Sequence, residues 1–376
     1  MPGYELINYK ERIAVNKLFK EGGVLFAHGF DNLRKRYHVR EFERECSKYF
    51  KVNNCLAVSS GTAAIKIGLK ALGVKEGDEV ITQAFNFIAT VEAILDLKAI
   101  PVIVNVDKSL NMDPKELERA ITKKTKAIIP VHMLGFACRM SEIIKICKRK
   151  KIKILEDNCE SIGAKYNNRY LGSLGHIGAF SFDHGKIITT GEGGLIITNN
   201  KKLNKFVREY HDHGHENNPK YSRGEDTRSI YGFNYRMTEL QGVIGKVQLK
   251  KLNYIIKKNK LRYNCLNKIL RRYFEIRENP KGATPNYDTF IFYVKKNEKR
   301  KILKKIKVSN FGTKNLPDAI KWHCSAYWNH ALSKTQVNKS LKTKKLLLSA
   351  VAIPINLTRK LKDYKKLAEN ILSIKQ

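Results

Sequence analysis

Between residues 54 and 200 the chain alternates short apolar runs with helical stretches: CLAVSS then TAAIKIGLKALG, DEVIT then FIATVEAILDL, IPVIVNV then PKELERAI. KAIIPVH and MSEIIKICKRK continue the pattern, followed by KIKILED, GAFSFD and LIITNN. Strands alternating with helices of this length build βαβ units, which predicts an α/β fold with a mostly parallel central sheet covered by helices. Such sheets hold their ligands beyond the carboxyl ends of the strands. Side chains at strand ends are therefore where chemistry is expected.

The pattern changes after the sheet region. Leu240, Val243, Ile244, Val247 and Leu249 recur at helical spacing, predicting a long helix from Met237 to Lys258 and then a second helical stretch. Beyond residue 273 come a few strands (TFIFYV, VAIPI) and lysine-rich helices, the last near residues 358–374. This predicts a large domain over 1–250, with the first 20 residues packed on the smaller domain, and a smaller α+β domain over 251–376. A chain of 376 residues, 42% hydrophobic, has apolar surface enough for two such domains. The polar stretch HDHGHENNPKYSRGEDTRS, 211–229, reads as a functional or mobile loop.

The net charge of +37 raises the question of nucleic acid. Lysine outnumbers arginine and is spread along the whole chain, whereas phosphate recognition and base readout draw more heavily on arginine. The densest runs, KRKKIK (148–153) and KNEKRKILKKIK (296–307), alternate with Ile and Leu as solvated helix faces do. The reading is a solvated surface with no nucleic-acid partner and an incidental attraction for anionic substrates. The seven cysteines form no CxxC pair, which argues against a metal site or a disulfide framework and for reduced thiols. No apolar run approaches the ~20 residues of a membrane span, and the N-terminus lacks a signal-peptide core. A cytoplasmic protein with no membrane partner is expected.

Three segments carry chemistry. In SFDHGKIITTGEGG, 181–194, Lys186 lies between a buried strand and a glycine-rich reversal. There an amine that loses its proton can attack an aldehyde carbon, although one lysine by itself also reads as a solvated charge. In VSSGTAAIKIGL, 58–69, a strand gives way to a helix whose first N–H groups, those of Thr62 and Ala63 beside Gly61, suit a phosphate. A well-capped helix, with Ser60 or Thr62 as cap, explains the same residues. In ILEDNCESIGA, 154–164, Asp157 ends a strand and either pairs with a protonated ring nitrogen or caps the next helix.

Together, and in this order, these segments resemble the DegT/DnrJ/StrS-type sugar aminotransferases, a branch of the fold-type I enzymes that use pyridoxal 5'-phosphate (PLP). The resemblance spans nearly the whole chain and is densest at SSGTAA (59–64), FNFIAT (85–90), EDNCESIGA (156–164), FSFDHGKIITTGEGG (180–194) and GFNYRMTELQGVIGKVQL (232–249). It implies that Lys186 carries the cofactor as a Schiff base and then shuttles protons, and that Asp157 binds the pyridinium nitrogen. Glu160 falls where relatives have Gln or His near the phenolic oxygen. Phe87 matches the aromatic residue that stacks on the ring, with a core phenylalanine as the other reading. Gly61, Thr62, Ala63 and Ser181 would hold the phosphate. Asn234 matches an asparagine that reaches the phosphate from the neighbouring subunit, implying a homodimer with shared active sites. Arg236 beside it reads as a substrate contact or a structural ion pair.

The resemblance also bears on the reaction. Relatives with histidine in place of the lysine dehydrate their sugars; this chain has Lys186, and His184 does not align with that change, so transamination is implied. The implied donor is an amino acid, glutamate. The implied acceptor is a nucleotide-linked keto-deoxyhexose destined for surface glycans. The segments 215–229 and 312–332 look instead like a subgroup that aminates an eight-carbon ulosonic acid, of the 8-amino-3,8-dideoxy-octulosonate type. Arg223, Arg228 and His323 are then candidate substrate contacts, with surface charge and core packing as the alternatives. A non-catalytic regulatory protein on the same fold is the remaining reading, against which an intact Lys186, Asp157 and phosphate turn argue.

Overall fold

A computed structural model describes residues 2–218 and 220–375. Its main sheet has seven strands: β1 (Asn54–Val58), β2 (Glu79–Gln83), β3 (Ile100–Val104), β4 (Thr125–Ile129), β5 (Lys153–Asp157), β6 (Ile177–Ser181) and β7 (Gly194–Thr198). They lie in the order β1-β7-β6-β5-β4-β2-β3. The pairs β3–β2, β2–β4, β4–β5 and β5–β6 are parallel, while β7 runs antiparallel to both β6 and β1. The expected mostly parallel sheet is present. The exception is β7, which β6 reaches through the glycine-bearing connection 182–193; that segment forms no helix to carry the chain back across the sheet, as joining parallel neighbours usually requires.

Both faces of the sheet are covered, as side-chain alternation along a strand requires. On β7, Ile196 packs into one core with α3 (Gly61–Ala71), α4 (Ala89–Asp96) and α6 (Lys201–Tyr210). Its neighbours Leu195 and Ile197 pack into another with α2 (His38–Phe50) and α7 (Glu239–Leu270). α5 (Met140–Lys150) covers the β2–β5 region on that second side. The KRKKIK run spans two elements: α5 ends at Lys150, Lys151 turns at φ 57°, and β5 begins at Lys153. That run is therefore no single helix face.

The helix expected over Met237–Lys258 is longer. α7 is unbroken for 32 residues, starting from a capping box in which Thr238 and Gln241 satisfy each other's first-turn groups. No Gly or Pro interrupts residues 250–270, so the anticipated second helical stretch is the continuation of the first. α7 passes straight through residue 250. Its second half, with Tyr263, Leu266 and Leu270, packs against the antiparallel pair β8 (Thr289–Tyr293) and β9 (Ala350–Pro354). α8 (Lys296–Val308) adds Ile302 and Ile306 to this core, and α9 (Leu361–Leu372) adds Tyr364, Leu367 and Ile371. The N-terminal helix α1 (Tyr9–Lys20) docks on α7, where Glu11 pairs with Lys251 at 2.5 Å and accepts from Gln248 at 2.8 Å. Just before it, Glu5 accepts the Leu357 N–H at 2.7 Å.

Candidate active site

The parallel strands β1, β2, β4, β5 and β6 point their carboxyl ends at one edge of the sheet. The loops leaving that edge wall a cavity of about 410 Å³ that contains Asp157, Lys186, Thr62, Phe87, Ser181 and Glu160. Segments more than a hundred residues apart in sequence meet there because each follows the end of a neighbouring strand.

Glu156 and Asp157 close β5 and, being adjacent on a strand, face opposite ways. Glu156 turns into the protein, where it accepts the N–H groups of Gly172, Leu174 and Gly175 at 2.6–2.8 Å and meets His132 Nε2 at 3.2 Å. Asp157 turns to the cavity and is 3% exposed. One of its oxygens accepts the Cys159 N–H at 3.0 Å and the other the Thr90 hydroxyl at 2.8 Å. Each oxygen keeps further acceptor capacity, so a cationic N–H entering the cavity finds a carboxylate already fixed in direction.

At the end of β1, Ser60 caps α3 through its hydroxyl, which accepts the Ala63 N–H at 3.1 Å. Ala63 is thus removed from the expected phosphate donors. Among the described residues the N–H groups of Gly61 and Thr62 have no acceptor within the chain. They remain to bind an anion at the positive end of the helix. Gly61 is required for packing: a Cβ there would lie 2.8 Å from Ser181 Cβ and 2.9 Å from Cys159 Sγ. Gly194 plays the same part opposite, since a Cβ on it would meet the Ser60 carbonyl oxygen at 2.2 Å. Ser181 lines the cavity beside this turn, its hydroxyl accepting the Asp183 N–H at 3.2 Å.

Lys186 follows β6 and reaches back under the cavity, its ammonium 3.8 Å from Glu160 Oε1. Burial works to strip its proton, yet Glu160, with Cys159, Asp183 and Asp157 behind it, more than offsets that and holds the Lys186 pKa above the usual lysine value. Desolvation alone therefore does not free this amine. Glu160 is itself pulled down to about 2: burial opposes its charge, but Lys186, Lys314 and His323, together with the Leu134 N–H at 3.1 Å, outweigh it. His184, two residues before Lys186, stacks on Tyr4 with ring centroids 5.0 Å apart.

The Phe87 ring is 44% exposed on the cavity wall, an exposure that a core phenylalanine would not have. It faces His323 at 5.5 Å. His323 donates Nδ1–H to the Ala319 carbonyl at 2.9 Å, leaving Nε2 as an acceptor. Burial foremost lowers its pKa. Beside it stand Lys314, paired with Asp288, and Asn315, whose Nδ2 has no partner among the described residues. Thr90, Lys314 and Asn315 were not singled out from sequence, although FNFIAT and GTKNLP contain them.

The remaining candidates lie outside this chain's cavity. Asn234 is exposed, and its side chain accepts the Arg236 N–H at 3.3 Å. Arg223 and Arg236 both bind Asp212, Arg223 through two contacts of 2.6 and 2.8 Å and Arg236 at 2.5 Å. For Arg236 this is the ion-pair alternative. Arg228 is exposed and touches His215 Nε2 at 3.2 Å. The loop 211–229 thus organises a second polar cluster, away from Lys186.

Residues 29–371 match the DegT/DnrJ/EryC1/StrS aminotransferase family. The chain belongs to this family. It is 40% identical over 216 residues to a GDP-perosamine synthase of Caulobacter vibrioides, a match covering 57% of each chain. To the GDP-perosamine synthase of Escherichia coli O157:H7 it is 34% identical over 254 residues, covering 67% of this chain and 68% of that one. The aminotransferase structure from Psychrobacter cryohalolentis superimposes with a TM-score of 0.85 at 25% identity, covering 98% of this chain and 97% of that one. The fold is that of the fold-type I PLP-dependent aminotransferases, and PLP is the cofactor that goes with the DegT/DnrJ/EryC1/StrS family. The cavity fits it: an oriented buried carboxylate, free helix N–H groups, an open aromatic face and a lysine lie around one space.

Proposed function

We propose that the protein is a PLP-dependent aminotransferase that moves an amino group from glutamate to a nucleotide-linked keto-deoxyhexose, as a cytoplasmic homodimer in the making of surface glycans. The observation that carries this reading is the placement of Lys186, Asp157 and the Gly61–Thr62 N–H groups around one cavity. When bound, the cofactor supplies an electron sink and carries the amino group between the two half-reactions.

The chain's own groups then have distinct tasks. Gly61 and Thr62 N–H and the Ser181 hydroxyl bind the phosphate, and Asp157 keeps a ring nitrogen protonated. Phe87 orients the ring from its exposed face. With the cofactor in place, Lys186 Nζ would be the group positioned to accept the proton leaving the donor's α carbon and to deliver one to the sugar carbon in the second half. Glu160, held ionised first of all by Lys186, offers the proton on that lysine a nearby counter-charge. Asn234 of the partner subunit completes the phosphate site.

Lys186→Ala tests the assignment. Turnover with glutamate and a keto-sugar should fall by roughly 10²–10⁴-fold or more, the usual worth of a positioned proton-transfer group. A variant as active as wild type would refute it.

Lys314, Asn315 and His323 favour a second acceptor, an acid-bearing eight-carbon keto-sugar, because a cation and an unpaired amide face the cavity. Product analysis with both keto-sugars decides between them.

A further inference from the structure

A cavity of about 480 Å³ lies between the end of α7 and the segments 274–279 and 285–287, and it shares no lining residue with the cavity of Lys186. Phe136, Phe274, Ile276, Pro285 and Tyr287 give it an apolar, largely aromatic side. A space of this size and lining, with a few fixed polar groups, suits a small organic ligand.

Arg277 stands in this wall and is 3% exposed. Its Nε donates to the Ser109 carbonyl at 2.6 Å, its Nη2 to Asn111 Oδ1 at 3.3 Å, and its guanidinium lies 4.4 Å from the centre of the Phe136 ring. The fork is thus fixed in place by neutral groups. Among the described residues no carboxylate is within ion-pair distance of it, and Nη1 is buried without a hydrogen-bond partner. Burial foremost lowers its pKa, but only to about 10, so the group keeps its charge at neutral pH. A buried charge without a counter-charge is costly. Tyr263, also buried, rests against the same Phe136 ring at 6.1 Å, and its hydroxyl has no hydrogen-bond partner among the described residues. Glu275, the carboxylate in this wall, is held by Lys108 at 2.6 Å. Arg271, exposed on the same wall, pairs with no carboxylate among the described residues.

We propose that this cavity is a binding site for a small aromatic carboxylate, its charge compensating Arg277 and meeting the Tyr263 hydroxyl, its ring lying against the aromatic side of the wall. The site is separate from the amino-transfer cavity and does not depend on what is transferred there. A neutral donor could brace Ser109 and Asn111 equally well; the charge on Arg277 gains a purpose with an anion beside it. Inorganic phosphate would satisfy that charge but leave the aromatic side empty.

Calorimetry and thermal unfolding of the PLP-loaded protein test the site, with benzoate and its neutral counterpart benzamide as probes. Benzoate should bind and raise the unfolding midpoint, whereas benzamide should do neither. Arg277→Met removes the charge and should weaken benzoate by roughly tenfold or more, the worth of a hydrogen bond to a charged group. Tyr263→Phe loses no hydrogen bond of the unliganded protein, so its midpoint without benzoate should match wild type while benzoate binding falls several-fold. This second variant decides the matter should the methionine variant fail to fold. Absence of benzoate binding, equal binding of benzamide, or benzoate binding unchanged in Tyr263→Phe overturns the proposal.

Discussion

The Thr90 hydroxyl donates to Asp157 Oδ2 at 2.8 Å, joining the first turn of α4 to the end of β5 inside the protein. Both groups are buried, so water cannot replace the bond. A hydrogen bond to a charged group is worth about 1.5–3 kcal/mol, and here it fixes the carboxylate that would face the cofactor's ring nitrogen. Thr90→Val, similar in shape but without the donor, should weaken PLP binding by roughly ten- to a hundredfold, and Thr90→Ser should restore most of it. Equilibrium titration of the apo protein with PLP, followed by visible absorbance, gives both numbers.

Glu160 is the first influence that raises the Lys186 pKa against burial. Removing its charge with Glu160→Gln leaves burial less opposed, so the Lys186 pKa should drop. The amine is reactive only above its pKa. The pH at which the protein half-maximally captures PLP should therefore move to lower values in the variant. An unchanged or higher midpoint would mean that Glu160 does not govern the lysine.

Asp212 is fully buried and pairs with both Arg223 and Arg236. Asp212→Asn should cost roughly 3 kcal/mol of stability, the low end for breaking a buried pair, because Arg223 stays partly in water. Burial opposes the Asp212 charge, but Arg223, His28 and Arg236 prevail and hold its carboxyl below the usual range. A depressed pKa stabilises above the unfolded value, ~3.9, and the benefit fades as pH falls toward the folded one. The gap between wild type and variant in urea denaturation should therefore be full at neutral pH and narrow in acid.

Asn234 is exposed on its own chain and absent from its own cavity. If it serves the partner's site, Asn234→Ala and Lys186→Ala proteins should each be weak, and mixed dimers should regain activity at a site that draws Lys186 from one chain and Asn234 from the other. Mixing after mild denaturation and refolding, followed by an activity assay, checks this. No recovery would place Asn234 outside the partner's site.

Much of this arrangement was legible in the sequence for a physical reason. Strand–helix alternation fixes where the ends of parallel strands lie, and Asp157, Ser181 and the Gly61–Thr62 turn are placed by those ends alone. What was not legible depended on contacts between distant segments. Ala63 was expected to serve the phosphate, but its N–H is claimed by Ser60, a choice between two cap geometries that the same residues permit. Thr90 lies 67 residues from Asp157, and no local pattern announces their bond. Burial by itself favours the unprotonated Lys186 amine that the sequence reading needs. The outcome depended on carboxylates that the fold brings in from elsewhere, Glu160 first. Phe87 showed the reverse: its two readings were open in the sequence, and its exposure on the cavity wall separates them.

The central claim is that Lys186 holds the cofactor and yields it to an amino donor. Protein loaded with PLP, reduced with borohydride and digested should carry the pyridoxyl group on the peptide containing Lys186. The same loaded protein, treated first with glutamate, should lose its visible band and escape that labelling. Labelling at a different lysine, or a band that glutamate leaves unchanged, would contradict the account.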